Sequence, residues 1–415
     1  CEAAPMSCRP LSAAASLLLL ACSADPTTTT TTGSSSGGPD TTTTTTASPA
    51  STTDLPDPPT SAGSVSDGQT TGTTGGVLTG TTTTTTSTTG TSTTADSSTS
   101  SGTTDDPGTT GTTGAASELT LEHMQVKGTH NSYHLKPLIP FDKSHDYSHV
   151  PLDQQLESQG VRAFELDVHK GLADFEVYHI SVIDAVSTCD LFGGCLGTIK
   201  GWSDLHPQHL PITIWIEIKD STGGATITAS DLDKLDELIR GVFPDDKLLT
   251  PDDIQGAFPS VHDALASDGW PTIDSLRGQV MVVLLNVDDE HASDYTLDYT
   301  TLAGRAMFAR VTPQQFDLPW AAIAKLGTGD AADIAAAHDA HLLIATNVCG
   351  AGEADDACFM TLDTATSAGI HMLKDDFPAK VGNKTYWMDF ADGNPARCNP
   401  VTAPPECTSA ALEDL

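Results

Sequence analysis

The sequence predicts an α/β fold, a (β/α) barrel of the TIM type, preceded by a disordered stalk rich in Thr, Ser and Gly. Strand-like apolar runs alternate with helix-like runs from Met124 to Leu373, which is typical of a parallel sheet covered by helices. Residues 26–116 contain no aromatic residue, no Lys and no Arg. Because such a segment cannot offset the entropy of ordering, only the C-terminal part is expected to fold.

Eight apolar runs have the length and composition of strands. Ile212–Ile218 is almost continuously apolar and β-branched, as expected for a strand buried on both faces. Phe175–Ile180 lies close enough to the preceding run to pair with it, so the number of barrel strands stays open. The predicted strands are Met124–Thr129, Val161–Val168, Phe175–Ile180, Ile212–Ile218, Gln279–Leu285, Ala306–Val311, Leu342–Thr346 and Ile370–Leu373.

Helical spacing of apolar residues separates these strands. Gly160 is a typical stop signal for the first helix, and Ser230 is the predicted N-cap of the third. The predicted helices are Leu152–Gln159, Leu191–His206, Asp231–Val242, Asp330–Ala340 and Leu362–Ala368.

The N-terminus has the features of a targeting segment. The apolar run Leu11–Leu20 is too short to span a bilayer, and Leu19–Cys22 (LLAC) resembles a bacterial lipobox in which Cys22 becomes lipidated. The alternative is an ordinary signal peptide cleaved near Ala21. We therefore expect a lipoprotein signal peptide at 1–22, a disordered Thr-rich linker at 23–117 and a barrel domain at 118–415, with the chain exported and lipid-anchored to the bacterial cell envelope.

The charge of the chain restricts its partners. The formal net charge is −36, which argues against a nucleic acid because phosphate backbones attract Lys and Arg. It also argues against attraction to an anionic membrane by charge alone. An acidic site can still take an anionic phosphodiester when a divalent cation lies between them.

Six cysteines lie in the part that is expected to fold, in three pairs that are each close in sequence. In an exported protein this even count indicates disulfides, although the connectivity stays a hypothesis. Zinc binding is the alternative, but no CxxC or Cys/His spacing supports it. The six residues are Cys189, Cys195, Cys349, Cys358, Cys398 and Cys407.

Polar side chains gather at the ends of the first predicted strands. Parallel strands of a barrel bring their carboxyl ends to one rim, where active sites lie. Carboxylate and amide oxygens suit calcium better than zinc, and two histidines beside them suit acid–base chemistry on a phosphodiester. The metal candidates are Asn131, Glu165, Asp167 and Glu217, the catalytic candidates are His130 and His179, and Lys219 lies beside Glu217 on the same strand.

Four motifs in this order resemble the bacterial calcium-dependent phosphatidylinositol-specific phospholipase C family, within the phospholipase C-like phosphodiesterase superfamily. The resemblance is strong over residues 125–220 and weaker at Lys374–Pro378 (KDDFP), which is similar to the closing strand of that superfamily. The motifs are Thr129–His134 (THNSYH), Gly160–His169 (GVRAFELDVH), Val177–His179 (VYH) and Pro211–Asp220 (PITIWIEIKD).

The resemblance implies a distorted (β/α) barrel that binds Ca²⁺ through the four metal candidates. His130 would stabilise the phosphoryl oxygens, and His179 would protonate the leaving diacylglycerol oxygen while the substrate's own 2-hydroxyl attacks phosphorus. Lys219 and Lys374 would contact phosphate or inositol. The implied partner is a phosphatidylinositol-type phospholipid at a membrane surface, and the long tether favours a monomer.

Two alternatives remain at the level of sequence. A glycerophosphodiester phosphodiesterase uses a similar set of residues on the same fold, but such enzymes usually begin with His-Arg-Gly, whereas this chain has His130-Asn131-Ser132. A non-catalytic calcium-binding surface module could retain the same carboxylates. The presence of every expected catalytic residue type favours the phospholipase.

Overall fold

The computed structural model describes residues 118–220, 225–390 and 394–413. The predicted signal peptide with Cys22 and the predicted linker at 23–117 lie outside the described residues. Within the described ranges, no helix combines the length and the apolar character needed to cross a bilayer.

The described residues form a closed ring of eight parallel strands surrounded by helices, which confirms the predicted TIM-type barrel. The strand β1 (Met124–Thr129) closes the ring by pairing with β2 (Val161–Lys170) and with β10 (Met372–Asp375). A register shift in the β1–β2 pair distorts the closure. The other ring strands are β4 (Ile212–Ile218), β6 (Val280–Leu284), β7 (Met307–Val311), β8 (Ile323–Lys325) and β9 (Leu343–Cys349).

Three short strands extend the sheet beside the ring. The strand β3 (Phe175–Val177) runs antiparallel to the end of β2, which confirms the predicted local pair. The strand β5 (Leu248–Leu249) pairs with the start of β6, and β11 (Ala396–Cys398) runs antiparallel to β1.

The strand β8 was absent from the predicted set. It has three residues and follows two alanines, so Ile323 is its only β-branched side chain, and the run is too short to mark a strand. Its place in the ring is decided by its neighbours, because β7 and β9 pair with it on either side.

The helices follow the predicted pattern with two corrections. The first helix ends before Gly160, which has a φ of 66°. The predicted N-cap Ser230 is wrong, since α3 begins at Ala229 and Asp231 accepts the backbone N–H of Thr228 at 3.0 Å to close a capping box. The helix predicted at Leu362–Ala368 begins at Asp355 instead. The helices are α1 (Leu152–Gln159), α2 (Phe192–Leu205), α3 (Ala229–Val242), α4 (Pro251–Gln255), α5 (Val261–Asp268), α6 (Ile273–Leu276), α7 (Glu290–Tyr295), α8 (Ala331–Asp339) and α9 (Asp355–Ser367).

Side chains of the ring strands alternate between two apolar clusters. Ile214 and Ile216 of β4 pack outward among helix residues, whereas Trp215 belongs to the second cluster with residues from across the ring. Because side chains alternate along a strand, Glu217 shares the inward face with Trp215. By the same rule, Glu165 and Asp167 share the inward face of β2 with Ala163. The fold therefore directs the predicted carboxylates into the barrel mouth.

Three disulfides join the cysteines in the predicted local pairs. Cys189–Cys195 closes the segment before α2, and Cys349–Cys358 closes the segment between β9 and α9. Cys398–Cys407 ties down the C-terminal segment. Each bond closes a short loop next to a strand or helix end.

Candidate active site and metal centre

The first site residues lie on a tight turn immediately after β1. The strand ends at Thr129, and Asn131 adopts a left-handed φ of 42°. The buried amide of Gln155 on α1 holds this turn, since it accepts the Thr129 hydroxyl at 2.8 Å and donates to the Ser132 carbonyl at 2.7 Å. Ser132 N–H also donates to the Glu165 carbonyl at 2.8 Å. The turn ends the alternation of the strand, so His130 and Asn131 are not held on opposite faces of the sheet.

Three carboxylates meet at the inward-facing ends of β2 and β4. The parallel register pairs Asp167 directly with Glu217. Oxygen atoms of Glu165, Asp167 and Glu217 all lie within 4.8 Å of one another. Carboxylates this close repel one another unless a cation or several donors lie between them.

Asp167 is fully buried, and within the described residues neither of its carboxylate oxygens has a hydrogen-bond partner. Burial raises its pKa, Lys219 lowers it in part, and the charges of Glu217 and Glu165 raise it, so that the pKa is about 7. His179 is also close enough for its charge to lower this pKa. The ammonium of Lys219 lies 3.4 Å from Asp167 and 2.8 Å from Glu217. A cation is therefore the missing partner that the chemistry of this carboxylate set demands.

Two lysines balance the negative charge of Glu165. Its Oε2 pairs with Lys374, which is fully buried and packs over the Trp215 ring at 4.8 Å. Lys325 lies 3.6 Å from the same oxygen. Burial raises the pKa of Glu165, but the charges of Lys374 and Lys325 outweigh it and hold the pKa far below its ordinary value. Glu165 is thus ionised, with Oε1 facing the other side.

His130 faces that free oxygen. Its Nε2 lies 3.8 Å from Glu165 Oε1, and its Nδ1 lies 3.0 Å from Asp376 Oδ1. Since a carboxylate accepts hydrogen bonds and cannot donate them, Nδ1 of His130 carries a proton, and Nε2 faces the carboxylate cluster. Burial lowers the pKa of His130, but the hydrogen bond to Asp376 and the charge of Glu165 outweigh it and raise the pKa.

His179 has the same arrangement. Its Nδ1 lies 2.7 Å from Asp184 Oδ2, and the other oxygen of Asp184 lies 2.8 Å from His134 Nε2. Burial raises the pKa of Asp184, but the hydrogen bonds to His134 and His179 outweigh it and hold the pKa well below its usual range. Each predicted catalytic imidazole therefore has an aspartate on Nδ1.

A family model describes the chain as Phosphoinositide phospholipase C, Ca2+-dependent, and it matches residues 119–174 and 169–400, which is more than half of the chain. The chain belongs to this family. Membership confirms the resemblance that the four motifs suggested and makes the protein a phosphodiesterase of the phospholipase C type with a calcium cofactor. It also decides against the glycerophosphodiester phosphodiesterase as the family.

Solved structures of the phospholipase C family are similar to this chain. A Ca²⁺-dependent phosphatidylinositol-specific phospholipase C from Streptomyces antibioticus is 19% identical, with a TM-score of 0.49 over 63% of this chain and 95% of that one. A calcium-dependent phosphoinositol-specific phospholipase C from Pseudomonas sp is 20% identical, with a TM-score of 0.48 over 68% of this chain and 95% of that one. No curated protein matches the chain.

A cleft of about 570 Å³ opens next to the carboxylates of this phospholipase. Arg310 on β7 and Lys325 on β8 line it together with Glu217. The Nε of Arg310 is buried and has no hydrogen-bond partner in the part of the chain that the structure describes. The cleft is also lined by Asn286, Asp289, Thr346 and Asn347.

The structure brings His130, His179 and the three carboxylates together, with Asn131 buried on the adjoining turn. Lys219 lies among the carboxylates at the rim, whereas Lys374 lies beneath Glu165 and does not line the cleft. His169 shares the face of Glu165 in sequence, but its Nε2 bonds the Tyr178 carbonyl at 2.8 Å.

Three residues of the site escaped the sequence analysis. Asp376 is in the KDDFP segment and follows a strand end, which is the signal that could have identified it. Lys325 lies on the unpredicted strand β8. Arg310 lies in a predicted strand, but nothing in the pattern of that strand distinguishes it from a solvent-facing arginine.

Proposed function

We propose that the protein is a calcium-dependent phosphatidylinositol-specific phospholipase C that releases diacylglycerol and an inositol phosphate. The observation that carries this proposal is the pair of histidines, each with an aspartate on Nδ1, close to three clustered carboxylates. General acid–base catalysis needs imidazoles held in one tautomer beside the reacting group. Family membership supplies the reaction class, and this geometry supplies the residues that perform it.

His130 and His179 have different tasks in the proposed reaction. His130 stabilises the phosphoryl oxygens, while the 2-hydroxyl of the inositol attacks phosphorus and loses its proton to a carboxylate of the site. His179 gives its Nε2 proton to the leaving diacylglycerol oxygen as the phosphorus–oxygen bond breaks. The product is inositol cyclic phosphate, which makes the enzyme a phosphorus–oxygen lyase in its first step.

Asn131, Glu165, Asp167 and Glu217 are the proposed calcium ligands. The buried oxygens of Asp167 that lack donors in the described chain, together with the neighbouring carboxylates, fit a hard cation with oxygen ligands. When bound, calcium supplies Lewis-acid stabilisation of charge and lowers the pKa of the attacking hydroxyl. The ammonium of Lys219 lies close to both Asp167 and Glu217 and balances part of their negative charge.

The cleft beside Glu217 is the proposed site for the headgroup. Asn347 offers an amide group to hydroxyls, whereas the amide of Asn286 bonds Ile218 and Asp289. Arg310 and Lys325 offer positive charge. Burial lowers the pKa of Arg310, although a guanidinium stays charged at neutral pH. A donor of Arg310 without a partner in the described residues suits an anionic or hydroxyl-rich ligand. The phosphate contact that the sequence assigned to Lys374 is therefore proposed for Lys325.

Exposed apolar side chains in the loop after the His130 turn favour a mode of binding to a lipid surface. Leu138 is 97% exposed, and Ile139 and Phe141 are each 81% exposed, in the loop that follows the first turn. A backbone bond from Leu135 to Val186 joins this loop to the segment that carries Asp184. Burying each such side chain in lipid is worth about 1.5–3 kcal/mol. Insertion of these side chains would hold the enzyme at the membrane, because an acidic protein is not attracted to an anionic surface by its charge.

The cellular location is part of the same proposal. Three disulfides are typical of an oxidising compartment outside the cytosol. Together with the lipobox-like LLAC, they support export and a lipid anchor at Cys22, with a monomeric domain on a long tether. Mass measurement of the mature N-terminal peptide would detect the diacylated Cys22, and an unmodified peptide starting elsewhere contradicts the anchor.

The function is tested with vesicles of phosphatidylinositol, vesicles of phosphatidylcholine and soluble glycerophosphocholine, each with calcium and with excess chelator. We expect diacylglycerol release from phosphatidylinositol alone and only with calcium. Phosphorus NMR of the products distinguishes the cyclic ester from the open inositol phosphate. Full turnover in chelator would contradict the metal assignment, and preferred cleavage of glycerophosphocholine would contradict the substrate.

A further inference from the structure

A second group of metal-ligating atoms includes His179 and none of the three clustered carboxylates. It consists of His145, His179 and Asp184, and their ligand atoms all lie within 4.8 Å of one another. His145 comes from the short helical turn Lys143–His145 in the loop after β1. The group therefore joins the two segments that border the catalytic imidazole.

His145 is the unusual member of this group. Its side chain is 8% exposed, and its Nδ1 is buried without a hydrogen-bond partner in the described part of the chain. The nearest acceptor is Asp184 Oδ2 at 3.7 Å, which is too long for a hydrogen bond. A buried ring nitrogen left without a partner is unfavourable, so its direction toward Asp184 indicates a ligand between them.

Asp184 is held in place for such a ligand. Its Oδ1 is bonded to His134 Nε2 at 2.8 Å, and the other nitrogen of His134 lies 3.2 Å from the Tyr147 carbonyl oxygen. The His134 ring also stacks on Tyr147 with centroids 4.2 Å apart. Outer partners of this kind orient carboxylate and imidazole ligands in metal sites. They fix Oδ2 of Asp184 toward both His145 and His179.

The donor set and its spacing suit a transition metal. Two imidazole nitrogens and one carboxylate oxygen are the ligands of open zinc sites, whereas calcium takes oxygen ligands alone. Bonds of about 2.1 Å in a tetrahedron place neighbouring ligand atoms about 3.4 Å apart. The observed separations from Asp184 Oδ2 are 2.7 Å to His179 and 3.7 Å to His145, which lie on either side of that value.

We propose that Zn²⁺ or a similar transition-metal cation binds His145, His179 and Asp184 and inhibits the enzyme. The metal replaces the proton on Nδ1 of His179 and releases it to solvent. A metal-bound imidazole retains an Nε2–H that is a far weaker acid than that of an imidazolium, so it cannot protonate the leaving oxygen. The inhibitory part of this inference rests on the proposed function of His179, but the binding part does not.

Calorimetric titration of the full chain with Zn²⁺ in saturating calcium tests binding without reference to activity. We expect one zinc ion per chain, and His145→Ala is expected to weaken its affinity by at least about tenfold. His145→Gln removes the ring nitrogen with a smaller change in volume and should give the same loss. His341→Ala removes a histidine that pairs with Glu122 outside the group, and it should leave zinc binding unchanged.

The second measurement is inhibition of phosphatidylinositol cleavage by zinc, with each variant compared with its own zinc-free rate. We expect zinc to inhibit the wild type, and a chelator that binds zinc far more tightly than calcium should restore its activity. Both His145 variants should need higher zinc concentrations for the same inhibition. Unchanged zinc affinity and inhibition in these variants overturn the inference. A chain that binds zinc through His145 but cleaves no phosphatidylinositol contradicts the proposed function and leaves the zinc site standing.

Discussion

The Asp376 carboxylate lies 3.0 Å from Nδ1 of His130, although 246 residues separate them in the chain. The other oxygen of Asp376 accepts the backbone N–H of Ala351 at 2.7 Å. Ala351 lies inside the loop that the Cys349–Cys358 disulfide closes. A disulfide-closed loop, an aspartate and a catalytic imidazole thus form one connected unit.

This unit makes Asp376→Asn an informative substitution. The amide can present either its oxygen or its NH₂ to Nδ1, so it no longer holds the Nδ1 proton or favours the charged ring, whose Nε2–H would donate to the phosphoryl oxygens. We expect kcat on phosphatidylinositol to fall on the order of 10²-fold with a small change in KM. Asp268→Asn changes an exposed carboxylate at the end of α5 and should leave kcat unchanged. Wild-type kcat in Asp376→Asn would exclude the positioning role.

The carboxylate cluster predicts opposite effects of one substitution on stability and on calcium binding. Asp167→Asn removes a buried charge that lies beside two other carboxylates. We expect the calcium-free variant to melt no lower than the wild type, because the repulsion falls. Added calcium should raise the Tm of the wild type but not of the variant, since a ligand stabilises only the fold that binds it. Differential scanning calorimetry with and without calcium measures both, and an unchanged calcium shift in the variant contradicts the site.

The cleft predicts a binding role for Arg310. Arg310→Gln removes a charged donor that faces the headgroup, and a hydrogen bond to a charged group is worth about 1.5–3 kcal/mol. We expect KM for phosphatidylinositol to rise on the order of 10-fold or more, with kcat changed little. Arg240→Gln is the matched control, because Arg240 bonds the carbonyls of Gly304 and Arg305 from the far end of α3. A lower kcat at constant KM in Arg310→Gln would instead place this guanidinium on the reacting phosphate.

The exposed apolar loop predicts a defect that appears only at a membrane. Replacing Leu138, Ile139 and Phe141 together by Ser should weaken binding to phosphatidylinositol vesicles at least about tenfold. Turnover of a short-chain monomeric substrate should stay near the wild-type rate, because the loop lies outside the catalytic groups. Leu205→Ser is the control, since Leu205 is 78% exposed at the end of α2, just before the start of β4. Equal losses on both substrates would show that the loop supports the fold rather than the interface.

A buried histidine away from the site predicts how stability depends on pH. His371 accepts the backbone N–H of Ile344 at 3.0 Å on Nδ1 and lies 3.1 Å from the Glu122 carbonyl on Nε2, so only the neutral ring fits. Burial lowers its pKa to about 3, with a further lowering from His338. The unfolded chain therefore binds a proton that the folded chain does not. Stability from this group is complete above pH 6.5 and falls as the pH drops toward 3.

Between pH 7 and pH 5 this single group should cost about 2 kcal/mol of unfolding free energy. His371→Gln should be less stable at pH 7 and show a shallower loss over that interval in urea denaturation. His262→Gln alters a partly exposed histidine on α5 and should keep the wild-type slope. Parallel curves for wild type and His371→Gln would contradict the assignment.

Local patterns account for the parts of the fold that were predicted. The strand Ile212–Ile218 and the helix that stops at Gly160 are recognisable because apolar periodicity and glycine conformation act over a few residues. The same holds for the motifs that carry His130 and Glu165, since each follows directly on a strong strand. The N-cap of α3 was placed on Ser230 because Thr228 and Ser230 are equally good caps until the carboxylate of Asp231 selects one.

The sequence by itself determined the barrel class, the candidate metal and catalytic residues, and the family, because these depend on residue types close together along the chain. Only the tertiary structure decided that β8 completes the ring, that Asp376 orients His130, and that Lys374 lies beneath Glu165. It also brought His145 to Asp184. These relationships join residues far apart in the chain, and a pattern of neighbours carries no information about distances that ring closure creates.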